Sequence, residues 1–309
     1  MLLVANGSVF TRNAQTPFIP NGAVAIDGDT IVEVGPECEL KAKYPDAEYV
    51  DAQGNLIMPG LVNCHTHIYS GLARGLAIKG CNPTNFLENL EQQWWKIDDN
   101  LTLDGTKASA YATILDSIRD GVATIFDHHA SFCEIPGSLF TIKDAAQELG
   151  MRSCLCYEVS DRRGQEKCDQ AIAENAEFAQ WAAKERRDND NHMIAAMPNV
   201  GWCEAMTMLF ENNAKMASKY FDRKLGVLEP GAAADVIVMD YKPFTPLSEE
   251  NIDGHMLFGM MGKNCRTTII NGRVLCKDRE FVGIDEEKIN AWTMAESKKL
   301  WSTLNDRAY

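Results

Sequence analysis

Two histidines, His65 and His67, stand two positions apart, directly after a short apolar run. Pro59-Gly60 marks a turn, and the apolar residues that follow predict a buried strand. Side chains at i and i+2 of a strand point to one face, so the two imidazoles are expected side by side. Neutral imidazole binds zinc and similar metals, so this pair can take adjacent positions on one ion. The alternative is an exposed strand; the apolar flanks favour the metal-facing pair.

The segment around this pair is similar to a known signature. Met58-Pro59-Gly60-Leu61-Val62-Asn63-Cys64-His65-Thr66-His67 resembles the first strand of the amidohydrolase superfamily, whose members are metal-dependent hydrolases on a TIM barrel. The continuation from Ile68 to Gly75 resembles the aminohydrolase and chlorohydrolase branch, and within it the SsnA-like aminohydrolases. The resemblance extends over nearly all residues from Met1 to Val282.

This resemblance implies a divalent metal, zinc or iron, and a small-molecule substrate. In the intact family, the first-strand pair and further histidine and aspartate residues after later strands hold the metal. The metal activates water, and acid–base side chains protonate the leaving group. Only His65 and His67 match the family's metal ligands here, and no catalytic acid or base is assigned.

Composition indicates a soluble globular protein and argues against two classes of partner. Of the 309 residues, 45% are apolar and 24% are charged, with a net charge of −14. Nucleic acids and anionic membrane surfaces both attract basic proteins, so neither is an expected partner. The first residues lack the pattern of a signal peptide, and the ten cysteines are therefore interpreted as reduced thiols in the cytoplasm. Cys154 and Cys156 are expected to pack in a core, with metal binding as the alternative.

The two ends of the chain carry strand-like segments. Apolar runs at 2–4, 22–26 and 30–34 alternate with turns, and 236–240 and 267–275 follow the same pattern near the other end. The resemblance implies that residues 1–55 and 225–285 combine into one small composite β-sandwich domain. Asp235 is expected to bond the backbone of a turn.

The middle, residues 56–224, is expected to be a barrel domain of alternating helices and strands. Helices are predicted at 84–95, 104–120, 142–149 and 168–184, with Asp104 as a helix cap. Strands are predicted at 122–127, 151–159 and from 193 onwards.

The alternation stops at Met197-Pro198. The following residues resemble the part of the family that comes after the last barrel strand. A complete barrel takes about 250 residues, whereas about 165 lie between the two halves of the sandwich here. The sequence therefore predicts an internal deletion near 197/198. The expected fold class is α/β, with an incomplete TIM-type (β/α) barrel beside the composite β-sandwich.

His128 and His129 close the second predicted strand of the barrel. Barrel enzymes place their chemistry where strands end, so both are candidate substrate-binding residues. Metal ligation and ordinary packing are the alternatives for these two side chains. His192 and His255 are interpreted as structural or solvated residues.

Two functional hypotheses follow. The first is a metal-dependent hydrolase that acts on carbon–nitrogen bonds other than peptide bonds, for example in the deamination of a small heterocycle, and that is inactive or nearly so as this truncated chain. The second is a non-catalytic remnant or interaction subunit. Open strands of an unfinished barrel can pair with other chains, so self-association or a homo-oligomer is expected.

Overall fold

The structure is a computed structural model that describes residues 1–196, 213–243, 245–249, 251–252, 255–256 and 264–306. The predicted break at Met197-Pro198 lies outside the described residues. The described strands are β1 (Leu2–Phe10), β2 (Phe18–Asp27), β3 (Thr30–Pro36), β4 (Glu48–Asp51), β5 (Leu56–Pro59), β6 (Leu61–Thr66), β7 (Val122–His129), β8 (Arg152–Tyr157), β9 (Ile194–Ala196), β10 (Val236–Met239), β11 (Cys265–Ile270), β12 (Arg273–Lys277) and β13 (Glu280–Phe281).

The described helices are α1 (Glu37–Lys43), α2 (Phe86–Asn89), α3 (Trp95–Asp98), α4 (Leu103–Arg119), α5 (Ser138–Leu149), α6 (Gln165–Asn189), α7 (Asn213–Phe221) and α8 (Glu286–Asp306). A 3₁₀ turn, Ile68–Ala73, follows β6 after one residue, and a π-helical stretch, Leu90–Trp94, joins α2 to α3. The sequence predicted neither α1 nor α8. The predicted helix 84–95 corresponds to the longer composite helix from α2 to α3.

The described residues divide into two compact units. One comprises Met1–Asn63, Ser117–Thr124 and the described part of Trp202–Gly283; the other comprises Cys64–Asp116, the described part of Ile125–Gly201, and residues from Ile284 onwards. Compact packing is not the same as independent folding. The predicted domains, 1–55 with 225–285 and 56–224, therefore stay a prediction.

One sheet takes its strands from both ends of the chain. Its order is β13-β12-β11-β10-β5-β1-β2-β3, with β4 beside β1. β10 connects the strands from the two ends of the chain, because it pairs antiparallel with β5 on one side and with β11 on the other. All four residues of β10 are buried, as expected of a strand that is covered on both faces.

A tight turn joins β11 to β12. Asn271 and Gly272 have φ angles of 51° and 75°, the pair of positive values that a two-residue hairpin of this kind requires. A Cβ on Gly272 would meet the Gly28 carbonyl oxygen, so only glycine fits there. The Asp235 carboxylate accepts a hydrogen bond of 2.9 Å from the Asn271 N–H, which confirms its predicted role in a turn.

A second sheet has the order β6-β7-β8-β9, and β8 and β9 pair in parallel. Among the described residues no further strand extends this sheet, and it does not close into a barrel. All of β8 is buried. β7 runs through His129 rather than stopping at Asp127, so both histidines belong to the strand.

Polar side chains fix the helices around this sheet. Glu174 of α6 accepts hydrogen bonds from the N–H groups of Gly137 and Leu139 at 2.7 and 2.8 Å, and so satisfies donors at the start of α5. At α4 the predicted cap is wrong by two positions. Thr102 accepts from the Gly105 N–H at 3.1 Å, while Asp104 lies inside the first turn, where its charge favours the helix dipole.

Within the described part of the chain, no helix combines the length and the apolarity that a bilayer crossing requires.

Candidate active site

His65 and His67 lie together at the end of β6. Their ring centroids are 4.8 Å apart and their planes are nearly perpendicular. His65 is exposed and His67 is half-buried. Burial lowers the pKa of His65, and the neighbouring His67 lowers it further. A neutral imidazole with a free nitrogen is the form that binds metals, so both effects favour that form.

The ring of His67 is held by the main chain of the neighbouring strand. Its Nδ1 lies 3.1 Å from the carbonyl oxygen of His128. A carbonyl can only accept a hydrogen bond, so Nδ1 carries a proton, and in the neutral tautomer that this bond selects the lone pair is on Nε2. Metal-binding histidines commonly use such a bond to fix ring orientation.

Asp127 on β7 supports the backbone directly after His67. One carboxyl oxygen accepts a hydrogen bond of 2.6 Å from the Ile68 N–H, while the other is buried without a partner. Burial raises the pKa of Asp127 to about 8, although the bond from Ile68 acts in the opposite direction. The carboxyl group is therefore largely protonated near neutral pH.

His129 is completely buried and neutral. Its Nε2 lies 3.0 Å from the Ser131 hydroxyl, which itself donates to the Glu134 carbonyl at 3.1 Å. The hydroxyl must accept from Nε2–H, and Nδ1 is left buried without a partner. Burial lowers the pKa of His129 to about 3, and the adjacent His128 contributes to the same direction.

The side chain of His128 lies near His67, unlike the buried side chain of His129. It is half-buried, and its ring centroid is 5.8 Å from that of His67. Burial lowers its pKa, while the charge of Glu158 opposes the shift. The structure therefore brings His128 to the predicted metal-facing pair. A substrate would reach His129 only if neighbouring side chains moved, because its exposed fraction is 0%.

Aromatic rings that the sequence did not indicate as part of a site surround these histidines. Tyr69 lies 5.8 Å from His67, 6.3 Å from His129 and 6.2 Å from Trp94, all in edge-on arrangements. Tyr157 lies 5.5 Å from His129, and its hydroxyl accepts from the Ser131 N–H at 2.8 Å. Tyr69 follows His67 by two positions, which was the available signal for its place here.

An ion-pair cluster lies in the same unit. Arg162 donates to both carboxylate oxygens of Asp98, at 3.2 and 2.6 Å, and to Glu158 at 3.2 Å. Its guanidinium also stacks 4.0 Å from the ring of Phe132. Burial alone would lower the pKa of Arg162, but the carboxylates outweigh it and the pKa is raised. A bidentate pair of this kind fixes the loop after β8 to the end of α3.

The described residues fit a metal site only in part. A catalytic zinc ion takes three protein ligands and a water, and among the described residues no three acidic, histidine or cysteine side chains are grouped to hold a metal. His192 contacts Asp190, and His255 contacts Tyr241, which agrees with their predicted structural roles. Cys154 and Cys156 are buried in β8, as expected of core residues.

Comparison with known proteins identifies the family. Residues 56–220 match the amidohydrolase family, and residues 22–47 match the bacterial imidazolonepropionase-like composite domain. The first match covers more than half of the chain. This chain therefore belongs to the amidohydrolase family, and the predicted resemblance is confirmed.

Several relatives are named as deaminases. A 5'-deoxyadenosine deaminase of Methanococcoides burtonii is 30% identical over 184 residues, which is 59% of this chain and 39% of the relative. A 5-methylthioadenosine/S-adenosylhomocysteine deaminase of Pelotomaculum thermopropionicum is 27% identical over 50% of this chain and 33% of its own length. The chain thus spans about two fifths or less of the length of these relatives.

A solved structure shares the fold. Atrazine chlorohydrolase TrzN from Arthrobacter aurescens TC1, crystallised with zinc, matches with a TM-score of 0.65 and 17% identity. The match covers 96% of this chain and 100% of that structure. At this identity the match is informative about the fold alone, which is of the TIM-barrel-like α/β kind.

Proposed function

We propose that the site of this chain is that of a hydrolase that acts on carbon–nitrogen bonds other than peptide bonds. The reaction class is deamination of a small amino heterocycle. The observation that carries the proposal is the His65–His67 pair, with the His67 ring fixed by the His128 carbonyl. The names of the relatives support an adenosine derivative or a related heterocycle as the substrate class.

Each residue of the site has a proposed role. His65 and His67 would hold a divalent metal, zinc or iron, and such an ion lowers the pKa of water when bound. The bond from His67 Nδ1 to the His128 carbonyl keeps the ring in one orientation and one tautomer. His128, next to the pair, is proposed to contact substrate, while His129 is proposed to support the pocket from behind.

We also propose that the 309-residue chain holds metal weakly and turns over little or no substrate. The described residues offer two imidazoles where a catalytic zinc site takes three protein ligands. The proposed fold of the chain is a partial barrel of residues 56–224 together with a composite β-sandwich of residues 1–55 and 225–285. An internal deletion near 197/198 is the proposed origin of the shortfall.

A non-catalytic, self-associating protein is the second candidate. It is favoured by the four-stranded sheet, in which β6 and β9 have no further described strand beside them. Exposed strand edges pair readily with other chains. Light scattering during gel filtration would test it: a mass that rises with protein concentration supports self-association, and a constant monomer mass argues against it.

A Co²⁺ titration with two variants tests the metal role. We expect His67→Ala to weaken Co²⁺ binding by about tenfold or more, since it removes a ligand. His128→Ala should leave the affinity nearly unchanged, because the group that orients His67 is the main-chain carbonyl and survives the substitution. Equal binding by the His67→Ala variant and the parent chain would contradict the assignment. Ammonia release from aminopurines, aminopyrimidines and triazines would be measured in parallel.

A further inference from the structure

The 3₁₀ turn Ile68–Ala73 is held by side chains from three distant parts of the chain. Asp127 accepts from the Ile68 N–H at 2.6 Å, and the Ser109 hydroxyl donates to the Ile68 carbonyl. At the other end of the turn, the indole N–H of Trp301 donates to the Leu72 carbonyl at 2.7 Å. Trp301 belongs to α8, which the sequence analysis did not assign to any function.

His67 is part of this turn through its own peptide group. Its carbonyl accepts from both the N–H and the hydroxyl of Ser70, at 3.1 and 2.7 Å. Movement of the turn would therefore move the backbone of His67, and with it the direction of Nε2. The ring alone is tied to the next strand through the His128 carbonyl.

The turn has little room to move toward α4. A Cβ placed on Gly71 would lie 2.7 Å from the hydroxyl oxygens of Ser109 and Thr113, and 2.8 Å from the Ser109 carbonyl oxygen. Such distances are shorter than normal contacts, so only glycine permits this approach. The turn is therefore fixed by packing at Gly71 and by the hydrogen bond from Trp301 at the next residue, Leu72.

α8 holds more than one point of this segment. The side chain of Asn305 accepts from the Lys79 N–H at 3.2 Å, a few residues after the turn. Trp292 precedes Trp301 by nine residues on α8. Its ring packs against Tyr111, with ring centroids 5.9 Å apart. Leu300 and Leu304 are buried, so the helix packs firmly rather than lying loosely on the surface.

We propose that α8 supports the candidate active site and that Trp301 is a positioning residue for His67. The indole N–H anchors the end of the turn, and the turn sets the backbone direction from which the His67 ring extends. The role toward a metal rests on the proposed function, but the anchoring of the turn does not. A helix near the end of the chain thus helps to organise a motif more than 200 residues earlier.

Trp301→Phe and Trp292→Phe form a matched pair of variants. Both residues are half-buried on one helix, and phenylalanine keeps an aromatic ring at each site. Only Trp301 has a hydrogen bond to the turn that the substitution removes. Hydrogen exchange would be measured by mass spectrometry on peptides that cover residues 66–78, followed by titration with Co²⁺ chloride.

We expect Trp301→Phe to speed exchange in this segment by about three- to tenfold, since one anchoring hydrogen bond is lost. Trp292→Phe should leave this segment at the parent rate. Unchanged exchange in Trp301→Phe, or equal acceleration in both variants, would overturn the proposal. Gly71→Ala gives an independent check, because it should speed exchange in the same segment by pushing the turn off α4.

The Co²⁺ readout separates this proposal from the metal role. If the parent chain binds Co²⁺, Trp301→Phe should weaken binding several-fold and alter the visible absorption spectrum, while Trp292→Phe should do neither. Weakened binding without a local change in exchange would contradict positioning through the turn. If the parent chain binds no Co²⁺, the metal role fails, and the exchange data alone decide whether Trp301 anchors the turn.

Discussion

Two pairs of histidines end neighbouring strands, and their surroundings differ sharply. His65 lies on β6 and His67 directly follows the strand, and both rings come together where a ligand could approach. His128 and His129 are consecutive on β7, so the strand turns one toward His67 and buries the other completely. The same residue type at the same end of a sheet therefore has one role suited to binding and one suited to support.

Burial explains the difference between the two pairs. His65 is exposed and His67 is half-buried, so this pair keeps access to water and to any ion that it binds. His129 shares its fully buried setting with Asp127, and both have pKa values that favour the neutral form. We infer that this inner group stabilises the strand ends, while the outer pair is the one accessible for the proposed metal binding.

The largest expected effect on the free energy of unfolding is that of removing the His129 ring, and His65 is the matched control from the other pair. His129→Ala removes a completely buried ring that contacts Tyr69 and Tyr157, and should lower the free energy of unfolding by about 3 kcal/mol. His65→Ala removes an exposed ring and should change it by less than about 0.5 kcal/mol. Urea denaturation of both variants would measure this. Similar losses for the two would contradict the division into an outer and an inner group.

Replacing Asp127 should have a smaller effect. Asp127→Ala leaves the buried Ile68 N–H without its acceptor, which should cost about 1–3 kcal/mol of unfolding free energy. Asp127→Asn retains an acceptor oxygen and should lose clearly less. Urea denaturation of the two variants side by side tests whether an acceptor oxygen at this position is sufficient. Equal losses would contradict this, because asparagine retains both the acceptor oxygen and nearly the same volume.

The pH dependence of stability should reveal the buried acid. The pKa of Asp127 rises from an ordinary 3.8 to about 8 in the folded chain, so between these values the folded state keeps a proton that the unfolded state has lost. The free energy of unfolding therefore falls as pH rises through this window. Asp127→Asn lacks this slope, so its stability relative to the parent should increase from about pH 4 to about pH 8 and then level off. A pH-independent difference in metal-free buffer would contradict burial of a protonated carboxyl group.

Among the substitutions at buried residues, the smallest effect is expected at Ser131. Ser131→Ala removes both the acceptor of the His129 Nε2–H and the donor to the Glu134 carbonyl. It should cost about 1–2 kcal/mol, since one hydrogen bond typically contributes about 1 kcal/mol. The nitrogen chemical shifts of the His129 ring should change at the same time, because the tautomer loses its partner. Unchanged shifts would mean that Ser131 does not fix the tautomer.

Local sequence patterns predicted the arrangement of His65 and His67 better than that of His128 and His129. The period of two along a strand brings His65 and His67 together, and the structure places them 4.8 Å apart as expected. For His128 and His129 the sequence indicated a strand end but not which ring would be buried. That choice depends on Tyr157 and Ser131, whose positions follow from packing between separate elements.

Contacts between residues that are far apart in the chain could not be predicted from the sequence. Glu174 satisfies the start of α5 from a different helix, and Trp301 reaches a carbonyl 229 positions away along the chain. Neither contact leaves a periodic or motif signal. The predicted cap at Asp104 was wrong for a local reason, since Thr102 two positions earlier offers a hydroxyl to the same turn.

We propose that His65 and His67 supply part of a metal site that the described residues do not complete. Metal content of the purified 309-residue chain would be measured after dialysis without chelator. We predict far less than one zinc or iron ion per chain, with His67→Ala lower still, because a tightly held catalytic zinc takes three protein ligands. Close to one ion per chain, lost in His67→Ala, would instead mean that the site is complete, and the account of a weakly binding chain would be wrong.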